Sequence, residues 1–145
     1  MKSAMRVCDA MTAPNLVTVR TDCTVRDLRA LFGRYDIDVV PVVARDAEGG
    51  MRKLSGVVTR ADLLQFLVPA KSVKALDRKH RETVAAIARW LAPLAPDASL
   101  GAAATRLVDE KIEALPVADP AGRVIGMLSL SDVLDSSTYA MAVAR

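Results

Sequence analysis

The stretch Gly56-Val57-Val58-Thr59-Arg60-Ala61-Asp62-Leu63-Leu64 returns later in the chain as Gly126-Met127-Leu128-Ser129-Leu130-Ser131-Asp132-Val133-Leu134. Each copy runs glycine, two apolar residues, a hydroxyl residue, two variable positions, an aspartate and two apolar residues. The apolar pair reads as the end of a strand. The hydroxyl residue reads as the N-cap of a helix, and the aspartate three positions on completes a capping box, in which side chain and backbone satisfy each other's free donors.

Working outward, the repeat continues upstream. Ile37-Asp38-Val39-Val40-Pro41-Val42 matches Ile112-Glu113-Ala114-Leu115-Pro116-Val117, and Asp22-Cys23-Thr24-Val25 matches Asp97-Ala98-Ser99-Leu100. The spacing shortens between the later matches because the first copy carries a longer hairpin loop, Ala44 to Met51, than the second, Asp119 to Gly122. Length variation belongs in such loops.

Each copy reads the same way in secondary structure. A short apolar strand (Leu16–Val19; Leu91–Leu94) leads into a turn. Thr24 or Ser99 then caps a helix, with Asp27 completing the first box. Val25, Leu28, Leu31 and Phe32, or Leu100, Ala103, Ala104 and Leu107, fall at helical spacing on one face. A β-run follows (37–43; 112–118), then a Gly- and Asp-rich loop, a second strand (54–58; 124–128) and a last helix. The unit is β-α-β-β-α, written twice. One copy of about 50 residues builds only a small core, so the pattern predicts two halves related by a pseudo-twofold axis and sharing one core. The fold class is α+β.

Composition narrows the chemistry. Of 145 residues, 52% are apolar and only 3% aromatic, so the core must be aliphatic. The net charge of +3 is far from the dense basic surface of a dedicated nucleic-acid binder. The longest apolar stretch, Val84 to Ala95, is broken by Arg89 and Pro93 and falls short of the roughly 20 residues of a membrane span. The N-terminus shows no apolar signal region. Cys8 and Cys23 therefore read as reduced thiols, and the expected location is cytoplasmic. The single histidine, His80, sits in the charged run Asp77-Arg78-Lys79-His80-Arg81-Glu82 and reads as solvated. No His/Cys metal cage, nucleophile elbow or P-loop occurs. An enzyme is not expected, nor is an obligatory cofactor or a metal.

With Val7-Cys8-Asp9-Ala10-Met11-Thr12, the Val40-Pro41-Val42 and Leu115-Pro116-Val117 strands, and the two Gly-to-Asp segments in register, the chain resembles a tandem pair of CBS domains, the unit called a Bateman module. The resemblance runs from Val7 to about Phe66 and from Thr83 to about Ser136. It divides the chain into repeat 1 (7–67), a basic linker helix (68–82), repeat 2 (83–137) and a C-terminal tail (138–145). It implies a non-catalytic regulatory module binding an adenosine-containing ligand (AMP, ADP, ATP or S-adenosylmethionine) in clefts between the repeats. It also implies pairing into a homodimer and, since no enzyme or channel is attached, signalling in trans to a partner protein.

The resemblance assigns site residues. Asp62 would hold the ribose hydroxyls, Thr59 would donate to a phosphate or ribose oxygen, and Arg60 would bind phosphate. Val39, Val40 and Pro41 would wall the adenine, and Thr18 would add a hydroxyl. In the second copy Ser129 and Asp132 remain, with Ala114, Leu115 and Pro116 as the wall. There Leu130 stands where Arg60 stood and Pro93 where Thr18 stood, so the second site is expected to favour a ligand with little phosphate charge. From spacing alone, plain helix capping explains both Thr59–Asp62 and Ser129–Asp132 with no ligand; the repetition of the whole frame, glycine through aspartate, is what favours a site. Two other readings stay open: a ligand-free dimerisation scaffold, and weak, salt-sensitive nucleic-acid binding through the basic linker. Trp90 reads as core or dimer packing. Met1, Met5, Met11 and Met141 read as core filling or packing between modules.

Overall fold

A computed structural model of the chain describes residues 5–13 and 16–136. The expected tail over 138–145, with Met141, and the N-terminal Met1 lie outside the described residues. The chain is α+β. Its elements run α1 (Val7–Ala10), β1 (Val19–Arg20), α2 (Val25–Arg34), β2 (Val39–Arg45), β3 (Met51–Thr59), α3 (Arg60–Leu67), α4 (Val73–Arg81), a 3-10 turn (Val84–Ala86), α5 (Leu100–Asp109), β4 (Ala114–Ala118) and β5 (Val124–Ser129). A further helix covers residues 130–136.

The chain divides into two compact units. One is continuous, Val17–Leu91. The other is discontinuous, made from the described residues of 1–16 with those of 92–145. The division does not follow the contiguous order of the two copies. Residues 7–12 join the second copy, and residues 83–89 join the first.

In the continuous unit, β1, β2 and β3 form one sheet, with β1 parallel and β3 antiparallel to β2. The β2–β3 register pairs Val39 with Thr59, Val40 with Val58, Pro41 with Val57 and Val42 with Gly56. Side chains alternate across a strand, so Val40, Val42 and Val58 share one face. They pack there with Val25, Leu28 and Phe32 of α2 and Leu63 of α3. The helix α2 begins as its sequence dictates: Asp27 N–H donates to Thr24 Oγ1 at 3.1 Å, and Thr24 N–H donates to Asp27 Oδ2 at 3.3 Å. The β2–β3 loop turns through Gly49 at φ +87°, a left-handed backbone that suits glycine.

The helix α4, capped by Ser72, packs on α2 and α3 rather than standing in solvent. Arg26 binds Asp77 at 3.0 Å, and Lys79 Nζ donates to the Phe66 carbonyl at 2.6 Å while lying 4.5 Å from the Phe66 ring centre. His80 is 7% exposed, correcting the solvated reading. Its Nε2 lies 3.1 Å from Arg29 Nη1. A guanidinium only donates, so Nε2 is the acceptor and the ring is neutral. Burial first, then the charges of Arg26 and Arg29, hold its pKa below the ordinary value against an opposing pull from Asp77.

The discontinuous unit repeats the hairpin. Its β4–β5 register pairs Ala114 with Ser129, Leu115 with Leu128, Pro116 with Met127 and Val117 with Gly126. Ser99 caps α5 by accepting from the Ala102 N–H at 3.1 Å, and Leu100, Ala103 and Leu107 are its buried positions. The strand expected over Leu91–Leu94 shrinks to a single parallel bridge, Leu94 with Val117. Pro93 and Pro96 flank Leu94 and carry no N–H to extend a ladder.

Candidate functional site

Both box motifs form. In the continuous unit, Asp62 N–H donates to Thr59 Oγ1 at 3.0 Å, and Thr59 N–H donates to Asp62 Oδ2 at 3.0 Å. In the discontinuous unit, Asp132 N–H donates to Ser129 Oγ at 3.1 Å, and Ser129 N–H donates to Asp132 Oδ2 at 2.9 Å. Capping does not exhaust either pair. The Thr59 and Ser129 hydroxyls accept the helical N–H and keep their own hydrogens to donate. Each aspartate caps through Oδ2.

Strand register sorts the expected wall residues. Val39 pairs with Thr59 and Pro41 with Val57, so Val39, Pro41 and Thr59 share one face of the hairpin. Ala114, Pro116 and Ser129 share the equivalent face in the other unit. Val40 and Leu115 point the opposite way and are fully buried; Val40 lies in the core cluster of its unit. Their backbones stay beside the motif, while their side chains serve the core. Thr18 lies exposed one residue before β1, with alternation from buried Val19 turning it to the Val39–Pro41 side.

Arg60 takes a different course from the one its position suggested. Its Nε donates to the Ile37 carbonyl at 2.6 Å, and its Nη2 donates to the Phe32 and Tyr35 carbonyls at 2.8 and 2.9 Å. The guanidinium also lies 5.2 Å from the Phe32 ring centre. The carbonyls that end a helix lack intrahelical partners, and Arg60 satisfies carbonyls in the last turn of α2 and just beyond it. Three carbonyls hold the guanidinium there.

The cation that does reach the motif is Arg89, which sequence reasoning passed over. Arg89 and Val57 exchange two backbone hydrogen bonds, at 2.8 and 3.0 Å, adding a short antiparallel bridge to β3. Arg89 Nε then donates to Asp62 Oδ2 at 3.1 Å. Thr12 occupies the same place in the discontinuous unit: it exchanges backbone bonds with Met127 at 2.8 and 3.0 Å, and its hydroxyl lies 3.5 Å from Asp132 Oδ2. The signal was present in the sequence. Val7-Cys8-Asp9-Ala10-Met11-Thr12 and Val84-Ala85-Ala86-Ile87-Ala88-Arg89 align as a fourth matched segment, opening on Val7 and Val84, both fully buried.

The leading glycines explain themselves by this bridge. A Cβ on Gly56 would stand 2.9 Å from the Arg89 carbonyl oxygen. A Cβ on Gly126 would meet Met11 Sδ at 2.5 Å and the Thr12 carbonyl oxygen at 3.1 Å. Only glycine lets the added segment approach so closely.

A groove of about 560 Å³ lies among α2, α3 and α4, lined by residues including Phe32, Arg60, Leu63, Leu64, Leu67 and Leu76. Thr59 and Asp62 do not line it. Among the described residues there is no helix long and apolar enough to cross a membrane and no group of three potential metal ligands. Cys8 and Cys23 are free thiols. Trp90 is 61% exposed and so is no core residue.

A family model described as "CBS domain" matches residues 7–69 and 91–138. Among solved structures, CBSX2, a CBS-pair protein from Arabidopsis thaliana, determined in complex with AMP, is 27% identical with a TM-score of 0.76, covering 97% of this chain and 98% of that one. Among curated proteins, the inosine-5'-monophosphate dehydrogenase of Mycobacterium leprae is 32% identical over 126 residues, 87% of this chain and 21% of that protein. The corresponding enzyme of Methanocaldococcus jannaschii is 25% identical over 139 residues, 96% of this chain and 25% of that protein. The chain thus spans about a quarter of the length of these curated relatives.

Proposed function

The chain belongs to the CBS-domain family as a tandem pair, and from that premise we propose that it is a non-catalytic regulatory module for an adenosine-containing ligand. The observation that carries this reading is the doubled constellation. In each unit a capping aspartate, a hydroxyl with its hydrogen to give and an apolar wall occupy one end of one hairpin. The aspartate caps through Oδ2, so Oδ1 is the oxygen offered to a ribose hydroxyl, and the box fixes its direction. Val39 and Pro41, or Ala114 and Pro116, buried on the same hairpin face as the hydroxyl residue, are the apolar residues an adenine ring would pack against beside strand backbone groups.

AMP bound to CBSX2, a likeness that spans nearly the whole chain, supports the adenosine class. AMP, ADP, ATP and S-adenosylmethionine are the candidates within it, acting as regulatory ligands rather than cofactors. The module works as a cytoplasmic homodimer and passes its state in trans to a partner protein. Ligand shifts that state by no more than its difference in affinity for the two conformations.

The test is a thermal-shift and calorimetric panel of AMP, ADP, ATP, S-adenosylmethionine and NAD. At about 100 times its Kd, a ligand of the folded state adds about 2.7 kcal/mol of stability. A shift with one or more adenosine compounds is expected. Silence from the whole panel overturns the reading in favour of a ligand-free scaffold.

A further inference from the structure

The two box motifs share backbone geometry and differ in the residue that bridges to the aspartate. At Asp62 that residue is Arg89; at Asp132 it is Thr12. The difference is one of charge. Arg89 cancels the carboxylate beside Thr59. Asp132 has no ion pair among the described residues, and its two side-chain partners there are the neutral Ser129 amide and Thr12 hydroxyl.

We infer that Arg89 is the specificity-determining residue of the Asp62 site, making it select a phosphate-bearing adenosine ligand, while Thr12 leaves the Asp132 site to an uncharged or cationic one. This rests on the reading above that the box aspartates hold a ribose. A bare carboxylate at the ribose repels a phosphate attached to the same sugar, and the repulsion is strong where water is scarce. Arg89 removes it and adds attraction. Among the described residues Arg89 engages Asp62 through Nε, leaving the other guanidinium N–H donors without a partner there, and the side chain is 45% exposed against 18% for Asp62. It can reach a ligand without leaving the aspartate. The bridge to Val57 fixes where Arg89 emerges, and the glycine at position 56 allows that bridge. Arg60, the other cation of the motif, is tied to three carbonyls.

The internal pair supplies the experiment. AMP and adenosine are titrated calorimetrically into the intact chain and into Arg89→Thr, Arg89→Lys and Thr12→Arg, each checked for an unchanged melting curve. Arg89→Thr is expected to weaken AMP by roughly tenfold or more while moving adenosine by less than about threefold, since a hydrogen bond between charged groups is lost for one ligand only. Arg89→Lys is expected to keep most of the AMP preference, and Thr12→Arg to strengthen AMP at the second site. Should Arg89→Thr fail to fold, Arg89→Lys and the salt dependence of AMP binding carry the decision, and salt-independent AMP binding by the intact chain overturns the inference. Parallel loss of AMP and adenosine marks Arg89 as a structural strand partner and overturns it. So does unchanged AMP affinity. If the intact chain binds neither compound, the ribose reading itself falls, which is a different result from AMP binding that ignores Arg89.

Discussion

Arg89 Nε sits 3.1 Å from Asp62 Oδ2, the same oxygen that accepts the Thr59 amide at 3.0 Å. One carboxylate oxygen therefore caps α3 and anchors the segment that extends the sheet. The helix start and the added strand segment are thus tied together at the candidate ribose site.

The aspartates separate the two roles. Asp62→Ala and Asp132→Ala each remove the acidic half of a box, so each is expected to cost about 1 kcal/mol of stability in urea unfolding. Their effects on AMP should differ. Asp62→Ala is expected to weaken AMP at least tenfold, as loss of a hydrogen bond to a charged group does, and Asp132→Ala to leave it nearly unchanged. Equal losses of AMP affinity in separate titrations would contradict the assignment.

Arg60→Leu, which copies the residue of the second motif, tests whether Arg60 serves the end of α2 or a ligand phosphate. It strips three carbonyls of their donor and the Phe32 ring of its cation. A stability loss of about 1–2 kcal/mol is expected, with AMP affinity changed little. A large loss of AMP binding with normal stability would return Arg60 to the phosphate.

Gly56→Ala places a methyl group 2.9 Å from the Arg89 carbonyl oxygen, where the clash is with backbone and no side chain can swing aside. Overpacking of this kind costs about 1–3 kcal/mol. Denaturation should show the loss, and AMP binding should weaken with it because the bridge that carries Arg89 is pushed out.

His80 gives the chain a pH dependence. Its folded pKa is lowered by burial and by Arg26 and Arg29, from an ordinary 6.5. An unfolded chain takes up a proton that the folded one refuses, so the unfolded state binds more protons in this window. The stability is fully present above about 6.5 and is lost as pH falls from there through the folded value. Asp77, whose pKa is lowered from 3.8 by its hydrogen bonds to Arg81 and Arg26, titrates too low to contribute there. Urea midpoints are expected to fall between about pH 7.5 and about pH 5.5 in the natural chain and to fall less in His80→Gln. Equal slopes would contradict the buried, neutral ring.

The repeat made most of the fold legible. Thr24 with Asp27, Ser99, Thr59 with Asp62 and Ser129 with Asp132 declared helix starts through local chemistry, and all of them cap as their spacing implies. Alternation could have separated Val39 and Pro41 from Val40, because register follows from a period of two. Arg60 was not legible. Whether an arginine reaches forward to a ligand or back to the end of α2 depends on tertiary placement. The burial of His80 against Arg29 likewise depends on how α4 packs on α2. Arg89 was legible in part, through the match of Val84–Arg89 to Val7–Thr12, but its reach to Asp62 follows from the bridge to Val57, which no local pattern declares.

The central claim, that the box aspartate and its hydroxyl partner grip a ribose, is most directly tested by following the backbone amides of the labelled chain during titration with AMP. The amides of Thr59, Asp62 and Arg89 should shift together and saturate at one Kd, ahead of those of Ser129, Asp132 and Thr12. Saturable AMP binding that leaves Thr59, Asp62 and Arg89 unmoved would place the nucleotide elsewhere and contradict the account.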